Sequence, residues 1–75
     1  MVKILEATPK DNHKIAVKLD NGKNGIFDVS QFLDKGIFVE LREPSYFRQI
    51  KIHGRSISWP HNQDFCADTI EALLT

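Results

Sequence analysis

The run His13–Leu19 alternates strictly, with Ile15, Val17 and Leu19 on one side and Lys14 and Lys18 on the other. A period of two is the mark of a half-buried strand. A shorter β-compatible run, Val2–Ala7, precedes it and closes at Thr8-Pro9, and Asp11-Asn12 opens the turn between them. After Leu19, Asp20-Asn21-Gly22-Lys23 reads as a hairpin turn, since Asn and Gly accept the positive φ such turns need. Two registers compete. A two-residue Asn21-Gly22 loop sets Asp28 opposite Ile15 on the apolar face. A three-residue loop with Gly22 as a bulge pairs Ile15 with Phe27 and turns Asp28 outward. A one-residue slip flips every side chain, so the apolar pattern favours the bulged form.

The second hairpin follows the same logic. With Gly54-Arg55 as a two-residue type II′ loop, Ile52 faces Ile57, Ile50 faces Trp59, and Lys51 faces Ser58. Pro60 ends that strand, because it has no N–H and biases Trp59 toward extended backbone. Between the hairpins, Asp28 or Ser30 caps a short helix over Val29–Lys35, with Gly36 at its C′ position. Ile37–Leu41 reads as either a short strand or an extended connector. Pro44 opens a helical turn carrying Tyr46 and Phe47, with Glu43 near its positive end. At the far end, Ile70, Leu73 and Leu74 form one helical stripe over Ala67–Leu74, with Asp68 and Glu71 near its start. The elements predict an α+β domain over residues 1–75: an antiparallel sheet of about five strands built from two hairpins, one face covered by two or three short helices.

Ten basic residues balance ten acidic ones. Nucleic-acid binders draw most of their affinity from phosphate contacts, so this balance makes nucleic acid an unlikely ligand. The charges are unevenly placed: Lys3, Lys10, Lys14, Lys18 and Lys23 lie in the first third, while 60–75 holds Asp64, Asp68 and Glu71 and no Lys or Arg. Such bipolarity suits a small protein partner or self-association. The lone Cys66 excludes an intramolecular disulfide and a multi-cysteine zinc site. No apolar run approaches the roughly 20 residues of a membrane span, and the N-terminus lacks a signal-peptide core, so a cytoplasmic chain with no membrane association is expected.

The ordered motifs resemble a family of small bacterial domains of unknown function. A strand reads from Gly22 into Phe27-Asp28; Gly36-x-Phe38-x-x-Leu41 follows; then Pro44 with the aromatic Phe47; and last Trp59-Pro60-His61-Asn62-Gln63-Asp64 before the final helix. Asn62 stands where the family usually has Gly, and Ala67 where it often has Pro. Asn is the next-best residue for a left-handed conformation. Family members are often encoded beside a RelE-like toxin or another small partner, which implies an antitoxin-like or accessory role. The resemblance implies no catalytic residue set.

His61 and Cys66 are the sharpest enzymatic pairing, with a helix start lowering the thiol pKa. His61-x-x-Asp64-x-Cys66 is also a conceivable metal-ligand spacing, but no second ligand pair accompanies it. No orienting carboxamide signature or oxyanion loop accompanies the cysteine either. Trp59 reads as a core anchor or an interface anchor, and its neighbours His61, Asn62 and Gln63 as a polar loop presented by Pro60 and ending in Asp64. Tyr46 with Arg42 and Arg48 forms a second candidate patch, and the first strand's edge a third. Gly22, Phe27, Asp28, Gly36, Phe38, Phe47, Gly54 and Pro60 read as structural. The expected function is a non-enzymatic protein-binding module using Trp59, His61, Asn62 and Asp64, with no cofactor and no metal. The alternatives are a nucleic-acid-associated regulatory module and a small enzyme using Cys66 and His61.

Overall fold

A computed structural model describes residues 2–75. Six strands form two three-stranded antiparallel sheets. The first holds β1 (Ile4–Lys10), β2 (Lys14–Leu19) and β3 (Asn24–Asp28), in that order. The second holds β4 (Lys51–His53), β5 (Ser56–Ser58) and β6 (Asp64–Cys66). Two α-helices, α1 (Pro44–Phe47) and α2 (Ala67–Leu73), and 3₁₀ segments at Asp11–His13, Ser30–Phe32 and Gly36–Arg42 complete the described chain. The α+β class expected from the sequence holds; the single five-stranded sheet does not. The reason is cover. Helices of four and seven residues are too short to shield a broad sheet, so a second sheet supplies the apolar face that the first must pack against.

Both hairpin registers follow the apolar pattern. Ile15 pairs with Phe27 and Lys14 with Asp28, and Gly22 takes φ +90° in the three-residue loop. Lys51 pairs with Ser58 and Ile52 with Ile57. Gly54 has φ +62° while Arg55 does not take positive φ, as a type II′ turn requires. Ile15, Val17, Leu19 and Phe27 are buried from the first sheet, and Ile57, Trp59 and Phe65 from the second region. Phe65 is the junction. Its ring lies 5.0 Å from Phe27, 5.0 Å from Phe32, 4.9 Å from Phe38 and 6.0 Å from Trp59.

Four local expectations are corrected. β1 does not stop at Thr8-Pro9 but continues to Lys10; Pro9 is accommodated because β1 is an edge strand, where a missing N–H leaves no ladder bond unmade. The helix over Val29–Lys35 contracts to a 3₁₀ turn, with the Asp28 carboxylate accepting from the Ser30 N–H (2.9 Å) as the cap. Gly36 has its left-handed φ of +46°, yet it opens the 3₁₀ helix Gly36–Arg42 instead of closing a helix, and Ile37–Leu41 is neither strand nor extended connector. The polar loop expected to end in Asp64 gives way there to a strand, β6, for which no element was expected.

The other edge of the first sheet is occupied by Thr75. Its N–H donates to the Ile26 carbonyl (3.0 Å), and the Ile26 N–H donates to the Thr75 carbonyl (3.1 Å). Gly25 permits this approach: a Cβ there would stand 2.7 Å from the Thr75 carbonyl oxygen. Gly25→Ala is therefore expected to displace residue 75, expose the Ile26 amide to solvent exchange and cost about 1 kcal/mol. Hydrogen exchange read by NMR checks this; unchanged Ile26 protection would refute the pairing.

Candidate partner-docking site

The loop between β5 and β6 is closed by its own backbone. The Trp59 N–H donates to the Gln63 carbonyl (3.0 Å), and the Asn62 N–H to the Trp59 carbonyl (3.1 Å). Asn62 takes φ +75°, the left-handed conformation that Asn tolerates better than other side chains. Pro60 and His61 are exposed at the bend.

Trp59 itself turns inward. It is 3% exposed, stacks on Phe47 at 6.0 Å, and donates its Nε1–H to the Phe47 carbonyl (2.8 Å). Of its two sequence readings the structure places it in the core, so its indole is not a contact surface. His61, Asn62 and Asp64 are exposed.

Gln63 organises what surrounds them. It is completely buried, and both ends of its amide are used. Oε1 accepts from the Tyr46 hydroxyl (2.6 Å), while Nε2 donates to the Ile37 carbonyl (2.8 Å) and to Glu40 Oε1 (3.0 Å). Tyr46 in turn accepts from the His61 N–H (2.8 Å) and lies against the His61 ring at 5.2 Å. His61 Nδ1 meets Glu40 Oε2 at 2.6 Å. Thus α1, the 3₁₀ helix Gly36–Arg42 and the β5–β6 loop are tied through one buried amide. The expectation that Gln63 is presented with His61 and Asn62 is corrected, because its amide is buried and bonded inward; Glu40 carried no expectation. A signal existed: Gln63, Phe65 and Ala67 alternate inward through β6 and the residue on either side of it, a period of two hidden by a single obvious apolar residue.

The His61 hydrogen bond, reinforced by Gln63 and opposed by partial desolvation, holds the Glu40 carboxyl below its ordinary value of 4.5. The stabilisation it gives is present above that value and is lost as the pH falls through the lowered folded value. His61→Ala is expected to return the Glu40 titration toward 4.5 and flatten this acid dependence. Side-chain carboxyl titration by NMR checks it; an unmoved Glu40 curve would show that the pair does not form.

Alongside this cluster the 3₁₀ helix presents Ile37, 57% exposed, and Val39, 45% exposed. Phe38 between them points inward and stacks on Phe65. Two outward apolar residues therefore sit next to the polar loop on a segment held from beneath.

The remaining candidates are dispersed. Cys66 lies at the end of β6 away from the loop, paired with Ser56, and lines a cleft of about 350 Å³ with His53, Arg55 and Asp68. His61 belongs to the Glu40–Tyr46 cluster at the other end, so the structure does not join these two into a dyad. The Thr69 hydroxyl at 3.3 Å, then backbone amides, hold the Cys66 thiol below its ordinary 9.0. Among the described residues no three His, Cys, Asp or Glu side chains gather closely enough to share a metal ion. No described helix is long and apolar enough to cross a membrane. The β1 edge carries a register shift at Leu5 and Pro9 farther along, two features that oppose strand addition.

A family profile described as a protein of unknown function, DUF2442, matches residues 4–75. The chain belongs to the DUF2442 family. The resemblance read from the motifs to a family of domains of unknown function is thereby met. In this DUF2442 chain, Gly22, Gly36 and Gly54 all take positive φ, Phe27 and Phe47 are buried, Phe38 packs against the core, and Asp28 caps a turn. No curated protein and no solved structure matches the chain.

Proposed function

We propose that this chain is a non-enzymatic protein-binding module, antitoxin-like or accessory to a small partner, which docks through the 3₁₀ helix Gly36–Arg42 and the β5–β6 loop. The observation that supports this reading is the exposed pair Ile37 and Val39 on a segment tied to the exposed His61 loop through Glu40 and Gln63. A rigid apolar contact flanked by polar groups is the usual anatomy of an interface centre and its rim. The segment is fastened by Gln63, so little ordering entropy is lost on docking.

The test is capture of a stoichiometric small partner by the tagged chain, followed by Ile37→Asp and Val39→Asp. Each is expected to weaken the complex about thirtyfold or more while leaving the melting curve in place, because both side chains already face solvent. Lys18→Asp, on the first sheet's outer face, serves as the control. Unaltered affinity in both apolar variants would move the interface elsewhere. A nucleic-acid-associated role would instead appear as binding that collapses steeply with added salt.

A further inference from the structure

A second cleft, of about 200 Å³, opens between the β1–β2 turn and α1 and is lined by Lys10, Asp11, His13, Pro44, Phe47 and Arg48. We propose that this cleft binds a single phosphate-sized oxyanion, held by Lys10 and Arg48 against the fixed His13–Phe47 wall.

The wall is built rather than incidental. Asn12 and His13 take left-handed φ of +62° and +58°; Asn adopts this readily, whereas at His13 surrounding contacts hold it. Three contacts do so. The His13 carbonyl accepts from the Val29 N–H (3.0 Å), its Nε2–H donates to the Arg42 carbonyl (3.0 Å), and its ring meets Phe47 edge-on at 5.3 Å. The imidazole is thereby a positioned surface, and the cations do the binding.

Those cations lack partners of their own. Lys10 lies directly opposite Lys14 in the β1–β2 ladder, and like charges at such positions repel. Lys14 has Asp28 across from it on β3, and its charge helps to lower the Asp28 pKa, behind the Ser30 hydrogen bonds. Lys10 has no such neighbour across a strand. Among the described residues neither Lys10 nor Arg48 joins a carboxylate within ion-pair distance. A bound anion would relieve the Lys10–Lys14 repulsion and bridge β1 to α1, and Arg supplies a planar fork suited to oxyanions. Asp11 also lines the cleft, so the site favours one charged group over a polyanion, in keeping with the chain's zero net charge.

The experiment is NMR titration of the isotope-labelled full chain with inorganic phosphate and, separately, with glycerol phosphate, each against sodium chloride of equal ionic strength. Saturable shifts confined to residues 10–14 and 47–49 are expected, weakening with added salt. Lys10→Ala and Arg48→Ala should each weaken binding about fivefold, and Asp11→Asn should strengthen it, whereas Lys51→Ala should change nothing. All four positions are exposed, so folding is retained and confirmed by the same spectra. Equal binding of the two probes assigns the site to the free anion, and tighter ester binding assigns it to an esterified ligand; either supports the site. Shifts scattered over Lys3, Lys35 and Lys51 without saturation, or binding indifferent to both Lys10→Ala and Arg48→Ala, would overturn it.

Discussion

Trp59→Ala is expected to remove most of the domain's stability. Removing a buried Trp costs about 3–5 kcal/mol, against a total stability on the order of 5 kcal/mol for a domain this short. The loss is compounded here because Trp59 stacks on Phe47, meets Phe65 edge-on, and supplies the donor for the Phe47 carbonyl. Trp59→Phe separates these contributions. It keeps an aromatic ring in place but leaves that carbonyl without its indole donor, so a loss of about 1–3 kcal/mol is expected. Chemical denaturation followed by circular dichroism measures both. A cooperative Trp59→Ala transition within about 1 kcal/mol of the parent would mean that Trp59 is not the anchor described. Because partial unfolding in Trp59→Ala would itself weaken any partner binding, Ile37 and Val39 are the positions where binding can be tested cleanly.

Gln63→Glu is expected to have the second-largest effect, despite being nearly isosteric. The Tyr46 hydroxyl can still donate to a carboxylate oxygen. The other oxygen, however, replaces an amide that donated to the Ile37 carbonyl and Glu40 Oε1. An acceptor would face two acceptors, one of them charged, in a site with no solvent access. Burial and the Glu40 charge both raise the new carboxyl's folded pKa. The penalty is therefore absent at low pH, where the group is protonated, and grows as the pH rises past its unfolded value toward the raised folded one. A loss of about 3 kcal/mol or more at neutral pH is expected, with partial recovery on acidification, opposite to the acid loss contributed by the Glu40–His61 pair. Gln63→Ala, which removes the amide without adding charge, should cost about 1–3 kcal/mol at every pH. Urea titrations of both variants at acidic and neutral pH distinguish the cases. Equal, pH-independent losses would show that Gln63 fills space and does not organise a polar network.

The hairpins were legible because their constraint is local. Period-two alternation and the turn residues leave only one register that keeps Ile15, Phe27, Ile52 and Ile57 on consistent faces, and the ladders follow it. The division into two sheets was not legible, since it depends on which face covers which, and no local pattern encodes that. The sheets touch at a corner, where the Ile4 N–H donates to the Gly54 carbonyl (3.0 Å), a contact joining residues fifty positions apart. Ile37–Leu41 was ambiguous for a related reason. Its outward Ile37 and Val39 and inward Phe38 and Leu41 satisfy several short conformations, and the choice of a 3₁₀ helix rests on Gln63 grasping the Ile37 carbonyl from another element. In the candidate site, the exposed loop residues were found by type and position. Gln63 reads as one more exposed loop residue because glutamine is seldom buried, and its inward role exists only when three distant segments meet.

The dependence of both sheets on Phe65 also orders events during synthesis. Ile15, Val17, Leu19 and Phe27 can be aligned by the first hairpin as soon as it leaves the ribosome, but Phe65, which packs on Phe27, Phe32 and Phe38, and the core residues Ile57, Trp59 and Ile70 come much later. At roughly 5–20 residues per second, the nascent first sheet waits several seconds with an apolar face open to water. That interval, more than any weakness of the finished domain, is when the polypeptide is most exposed to chaperone capture or to aggregation with its neighbours on the same message.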